Sequence, residues 1–360
     1  MKKKFLVLTT IFMILSFALA ACAAPQTPPA ATEAPAVEGT EAPAVEGTEA
    51  PAVEEPGKEY RLAAIFPGVI TDNDYNTLAY VGVTEVQKRL GIETAYSESV
   101  PVPDVDRVMR EYIDAGFNII WTHGGQFVTQ TVDLARLFPD VVFIAEGDAP
   151  VENSPENLWF IDRNFHVGFY GIGTVAALST KTGKIGYLGG QSLAFSYQEV
   201  HAIQQALTDL GSDVELIYVW TGDFNDPTKA RQTADALIGQ GVDVIMGALN
   251  LGMLGAFEAV KAVPEKEILI TAKYSDKSTF APDNYITSIL YDFAGPLENI
   301  INRIKAGETG GYYPLGFDTG VELQMPLQNV APEVQTQVEE IVSKVIDGTI
   351  VVEKNSDPLE

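Results

Sequence analysis

From residue 60 to residue 272, short apolar runs alternate with segments whose apolar side chains recur at helical spacing. Residues 61–66 read as a strand. Over 74–90, Tyr75, Leu78, Ala79, Val83, Val86 and Leu90 fall along one face, which predicts an amphipathic helix. The alternation continues with a helix over 105–115, a strand over 118–122, a helix over 130–138, and strands over 141–145 and 158–161. A helix of small residues follows over 167–179. The glycine-rich strand 183–190 then opens a second series: helix 197–210, strand 214–220, helix 227–238, strand 243–248, helix 252–263 and strand 267–272. Asp226 before Pro227 is a clean helix start, a capping side chain followed by proline at the first helical position. Strands alternating with helices imply parallel sheets covered by helices. Two series, each about 110 residues long, imply two similar α/β lobes, within the usual size range of domains. Ligands of such sheets sit beyond the carboxyl ends of the strands, so two lobes predict a cleft.

The first 58 residues break this pattern. Lys2, Lys3 and Lys4 precede an apolar run over 5–19, too short for a comfortable membrane span and followed by small residues. That is the layout of a secretory signal peptide over 1–21. Leu19-Ala20-Ala21-Cys22 resembles the bacterial lipobox, in which the cysteine is lipidated and becomes the new N-terminus. The alternative is a plain signal peptide with Cys22 a spectator. Residues 32–55 repeat one octapeptide from Thr32, Thr40 and Thr48, rich in Pro, Ala and Glu. Such a repeat cannot bury a core, so 22–58 reads as a lipid-anchored tether. As a flexible coil it would span about 30 Å.

Composition narrows the function. Acids outnumber bases 49 to 23, for a net charge of −26. Gripping nucleic acid needs a basic face, so a nucleic-acid partner is excluded. The single cysteine excludes an internal disulfide or a zinc cage, and His123, His166 and His201 are too scattered to suggest a metal site. No cofactor is expected. Gly171-Ile172-Gly173-Thr174-Val175-Ala176 matches a dinucleotide fingerprint, but it lies inside a helical run rather than after a strand. Close helix packing accounts for it better. Thr180-Lys181-Thr182-Gly183-Lys184 lacks the earlier glycine and the final hydroxyl residue of a phosphate loop. No nucleophile–base arrangement stands out, so the chain is not read as an enzyme.

Several stretches together resemble one family. Asp72-Asn73-Asp74-Tyr75-Asn76 followed by Gly82 is similar to the D-x-S-F-N…G signature of the basic membrane protein family. Its members are bacterial lipoproteins serving as substrate-binding components of ABC importers, the best known binding purine nucleosides. Phe138-Pro139-Asp140-Val141-Val142-Phe143 resembles the family's Y-P-D-x-x-F, and residues 180–190 its T-K-T-G-K-I-G-x-x-G-G. Gly222-Asp223-Phe224-Asn225-Asp226 resembles its G-S-F-x-D, and Gly241-Val242-Asp243-Val244-Ile245 its G-A-D-V-I. Ala281-Pro282 with Thr287-Ser288 resembles the segment before its last crossover. The resemblance spans 60 to about 330. It implies a type I periplasmic-binding-protein fold, two doubly wound parallel-sheet lobes joined by a hinge. Crossovers near 163–168, 286–292 and 318–324 would make lobe 1 residues 59–165 plus about 290–320. Lobe 2 would be 166–289 plus about 321–360.

The resemblance also implies site residues. Tyr75 stands where the family stacks a phenylalanine on the base, and Asn76 offers a donor and an acceptor to a base edge. Phe195 is the expected opposite face of the sandwich. Core packing is the alternative for both aromatics. Trp121, His123 and Gly124 end one strand and Asn250 another, so they should face the cleft. A structural histidine is the alternative at His123. Glu146 could accept from a ligand or be a solvated loop residue. The family's G-V-D-x-D and T-S-x-x-K become Ala272-Lys273-Tyr274-Ser275-Asp276 and Thr287-Ser288-Ile289-Leu290-Tyr291. Tyr274 and Tyr291 thus replace an aspartate and a lysine that hold the nucleoside, while Asp276 is retained. Asp74 completes the candidate contacts. The expected protein is a monomeric, lipid-anchored lipoprotein on the extracytoplasmic face of the cell membrane. It would deliver a nucleoside, nucleobase or similar solute to an ABC permease. The rivals are a ligand sensor signalling to a membrane receptor and a secreted nucleoside-acting enzyme.

Overall fold

The structure, a computed structural model, describes residues 59–359. The segments read above as a signal peptide, a lipidated Cys22 and a repeat tether lie outside the described residues. Among the described residues no helix is long and apolar enough to cross a membrane.

The chain runs β1 (Arg61–Ile65), α1 (Tyr75–Leu90), β2 (Glu93–Ser97), α2 (Val105–Asp114), β3 (Ile119–Thr122), α3 (Val128–Leu137), β4 (Val142–Gly147) and β5 (Leu158–Asp162). It continues through α4 (Phe165–Ser179), β6 (Lys184–Gly189), α5 (Ala194–Asp209), β7 (Glu215–Trp220), α6 (Pro227–Gly239), β8 (Val244–Ala248), α7 (Met253–Lys261) and β9 (Leu269–Tyr274). Then come β10 (Tyr285–Tyr291), α8 (Ala294–Lys305), β11 (Gly311–Pro314), β12 (Val321–Leu323) and α9 (Pro332–Ile346).

Two six-stranded sheets result, with orders β2-β1-β3-β4-β5-β11 and β7-β6-β8-β9-β10-β12. The first five positions of each repeat one topology. All pairings are parallel except β10 with β12. The chain passes between the sheets three times: after Asp162, after Tyr291, and between Pro314 and Val321. This is the type I periplasmic-binding-protein fold.

Strand composition explains the two-sided cover. Leu62 and Ala64 of β1 face one core cluster, Ala63 and Ile65 another, and all four are fully buried. A strand apolar on both faces is stable only between two helix layers. In sheet 1, α1 and α8 lie on one side and α2 and α3 on the other. In sheet 2, α4, α5 and α9 lie opposite α6 and α7.

The motifs have structural employment. Asp243 closes the turn into β6, accepting from the Thr180 hydroxyl at 2.5 Å and the amides of Lys181 and Thr182 at 2.7 and 2.9 Å. Asp226 caps α6 through the amides of Thr228 and Lys229. Gly173 lies in α4, where a Cβ would stand 3.0 Å from the Ile203 Cα of α5, so this glycine serves helix packing, while Gly171 makes room for the Phe317 ring. β2 carries the alternating, half-exposed Glu93-Thr94-Ala95-Tyr96-Ser97, too polar to stand out as a buried strand.

Candidate functional site

The carboxyl ends of both parallel sheets point toward one interlobe cleft. Loop 67–74 ends at α1, whose first turn is anchored by Asp72. That carboxylate accepts from the amides of Asp74, Asn76 and Thr77, the Asn76 side chain and the Thr77 hydroxyl, at 2.7 to 3.0 Å. Burial alone would raise the Asp72 carboxyl. The donors from Asp74, Asn76 and Thr77 outweigh burial and hold it below the usual carboxylate range. Asn76 is consumed in the same network: its amide nitrogen reaches Asp72 and its oxygen accepts from the Gly68 amide at 3.2 Å. Each polar atom of Asn76 thus already holds one partner within the loop.

Tyr75 begins the helix and reaches the centre of the cleft. Its ring stacks on His123 at 3.7 Å between centroids, and its hydroxyl donates to Glu146 Oε1 at 2.5 Å. His123 Nδ1 lies 2.7 Å from Glu146 Oε2, and Nε2 lies 3.1 Å from the Tyr75 carbonyl. Both ring nitrogens of His123 thus face acceptors. Glu146 is fully buried inside β4, so it is no solvated loop residue. Burial dominates the upward shift of the Tyr75 phenol, so it remains a neutral donor at physiological pH. Trp121 lies beneath this group, fully buried in β3 against Phe66, His123 and Phe293. Gly124 follows His123 with φ +134°, a turn that a side chain would strain.

Arg163 completes the cluster and escaped sequence reading. It grips Asp148 through Nε at 2.8 Å and through Nη2, and Nη1 donates to the Tyr75 hydroxyl at 3.1 Å. Its guanidinium carbon is 5.7 Å from the centroid of Tyr75 and 5.5 Å from that of Phe195. A cation thus stands within 6 Å of both rings of the expected aromatic sandwich. Phe195 stacks on Phe224 at 6.1 Å, and Gly190 leaves room for the Phe224 ring, which a Cβ there would overlap.

Lobe 2 contributes a second buried charge pair. Lys273 Nζ donates to Glu199 Oε1 at 2.5 Å, and the Tyr187 hydroxyl donates to Oε2 at 2.6 Å. Burial raises the Glu199 carboxyl and lowers the Lys273 ammonium, each offset in part by the other. The ammonium sits 3.5 Å above Phe165 and 4.9 Å from the Tyr274 centroid. Tyr291 packs at 5.6 Å from Tyr274 and 5.1 Å from Phe165. Tyr274 also faces Tyr75 across the cleft at 5.9 Å, and it does so with φ +78°. A bulky side chain in that region is strained, and such strain gathers at functional positions.

At the mouth, Asp74, Asn250 and Asp276 border a pocket of about 310 Å³ walled by Met253, Phe257 and Phe280. Asp74 pairs there with Lys277 rather than standing free. Asp276 accepts from the Ser278 amide at 2.8 Å. Among the described residues no group of three or more His, Cys, Asp or Glu side chains could hold a metal ion.

The family profile described as ABC transporter substrate-binding protein PnrA-like matches residues 60–356. The chain belongs to this family. Basic membrane protein A2 of Borrelia garinii subsp. bavariensis is 28% identical over 311 residues, covering 83% of this chain and 90% of that protein. A purine-binding protein of Brucella abortus is 27% identical over 273 residues, covering 74% and 75%. An ABC transporter solute-binding protein from Aeropyrum pernix superposes with a TM-score of 0.70 at 20% identity, over 82% of this chain and 94% of that one. A transcriptional activator of the comK gene from Bacillus halodurans gives 0.68 at 21%, over 81% and 100%. This family member shares their fold.

Proposed function

We propose that the chain is the solute-capturing lipoprotein of an ABC importer, tethered through Cys22 on the extracytoplasmic face. It closes two lobes on a small, flat, ring-bearing solute and presents the closed form to a membrane permease. One observation carries the reading. Aromatic and hydrogen-bonding side chains from both sheets, Tyr75, His123 and Glu146 from one and Phe195, Tyr274 and Tyr291 from the other, converge at the strands' carboxyl ends. The purine-binding relative supports a purine-like solute. Tyr274 and Tyr291 stand where the resembled pattern places ribose-side polar groups, which favours a nucleobase over an intact nucleoside. A relative named as a transcriptional activator in Bacillus subtilis is 23% identical over 294 residues, so a sensing role is the second reading.

The test is a thermal-shift panel on protein stripped of carried-over ligand, comparing adenine, guanine and hypoxanthine with their nucleosides, sugars and amino acids. Ligand at a hundred times its Kd stabilises the fold by about 2.7 kcal/mol. A shift with bases and not nucleosides supports the reading. A shift with sugars or amino acids alone overturns it.

A further inference from the structure

Asp74 is the residue just before α1, on the sheet 1 lobe, and Lys277 lies in the loop after β9, on the sheet 2 lobe. Lys277 Nζ donates to Asp74 Oδ1 and, at 2.8 Å, to the Ser275 hydroxyl. That hydroxyl lies 3.3 Å from the Asn73 carbonyl and 3.4 Å from Asp74 Oδ1. The side chains of Asp74 and Lys277 are only 2% and 7% exposed. This is a dry ion pair whose two halves sit on different lobes, so it exists only while the lobes are shut. Asp74 also occupies the position of serine in the resembled D-x-S-F-N pattern, so a charge stands where the pattern has a neutral hydroxyl.

Asp72, the nearest like charge, is committed to its five donors on α1. Tyr274 faces Asp74 from β9, and Asp276 lies near Lys277. Closing strips water from both charges, and the desolvation of a buried pair can exceed its attraction. Removing one partner strands the other, whereas removing both charges strands neither.

We propose that Asp74 and Lys277 are a positioning pair that sets the closing equilibrium of the two lobes. Through that equilibrium the pair sets how tightly the cleft holds its solute. The inference rests on the two-lobed cleft and not on the identity of the solute.

Single-molecule energy transfer reads this without any ligand. Dyes go on Val69→Cys and Leu193→Cys, both at exposed positions and one on each lobe, in a chain carrying Cys22→Ser. Asp74→Asn and Lys277→Met should each lower the closed-to-open ratio at least tenfold at pH 7. The double variant should return to within about threefold of the parent. Asp74→Ser, the residue of the resembled pattern, replaces Asp74→Asn if that variant melts early. Single variants within twofold of the parent, or a double variant as impaired as the two singles combined, would each overturn the proposal. A null thermal-shift panel with these outcomes intact would sink the solute reading alone.

Discussion

The Lys273–Glu199 pair can be tested as a double-mutant cycle. Glu199→Gln keeps the shape but leaves a buried ammonium without a counter-charge, its nearest neighbours being aromatic faces. Breaking a buried pair from one side costs about 3–5 kcal/mol. The low end applies, because the Gln carbonyl still accepts from Nζ, while its amide nitrogen takes the other position and donates to the Tyr187 oxygen. At roughly 2–4 °C per kcal/mol for a domain of this size, the melting temperature should fall about 6–12 °C. Lys273→Met leaves Glu199 with the Tyr187 donor only, and its carboxyl, already raised by burial, climbs further. A carboxyl raised in the folded state adds stability at low pH and loses it as pH rises. Lys273→Met should therefore melt higher at pH 5 than at pH 8. The double variant, Lys273→Met with Glu199→Gln, removes both charges and should lie within about 1.5 kcal/mol of the parent. Calorimetry on the four proteins at pH 5 and pH 8 decides. If Glu199→Gln melts within 2 °C of the parent, the ammonium is not as dehydrated as the structure makes it. If the double variant is the least stable of the four, the pair itself is a net stabiliser.

Other outcomes follow from the same geometry. Tyr75→Phe strips one donor from Glu146 and one acceptor from Arg163 and should cost about 1–3 kcal/mol in chemical denaturation, whereas Tyr75→Ala also empties the stack on His123 and should cost more. Asp72→Ala should destabilise by at least about 1 kcal/mol, visible as early fraying of α1 in hydrogen exchange, since five donors lose their acceptor. His166 is lowered to about 4, mainly by burial and then by Lys354, so its ring proton resonance should stay unshifted from pH 8 to pH 5. Between pH 6.5 and pH 4 the unfolded chain binds that proton and the folded chain does not, so His166 lowers stability as pH falls through this window. Gly173→Ala should cost about 1–3 kcal/mol by pushing α5 off α4, read as a drop in melting temperature without loss of helicity.

Much of this fold is written in side-chain periodicity. The core helices and the buried strands of each lobe carry apolar side chains that leave little choice, and Asp226-Pro227 marks its helix start unaided. What escaped has a physical reason in each case. β2 and β11 are edge strands, half exposed, and their sequences need not be apolar. The cleft was legible where a residue ends a strand, as at His123 and Asn250. It was opaque where a charge is buried, because the letters of Arg163, Lys273 and Lys277 do not say whether water reaches them. One signal was available. Glu199 shares a helical face with Ser196 and Ile203, all buried, and Lys273 interrupts the apolar run of β9, so each is a charge on a face that otherwise turns inward.

The three passages of the chain between sheets bear on how the molecule is made. Sheet 1 lacks its outer strand until Gly311–Pro314 pairs with Trp159 and its neighbours, some 150 residues downstream of β5. Sheet 2 lacks its own until Val321–Leu323 returns against β10. A chain emerging from the N-terminus therefore cannot finish one half before starting the other. Bare edges at β5 and β10 persist until nearly the last residues arrive, and such edges invite pairing between copies. Closing these long loops is entropically slow, so assembly should end in one late concerted step. A single cut anywhere between β5 and β11 would sever a sheet rather than release a lobe.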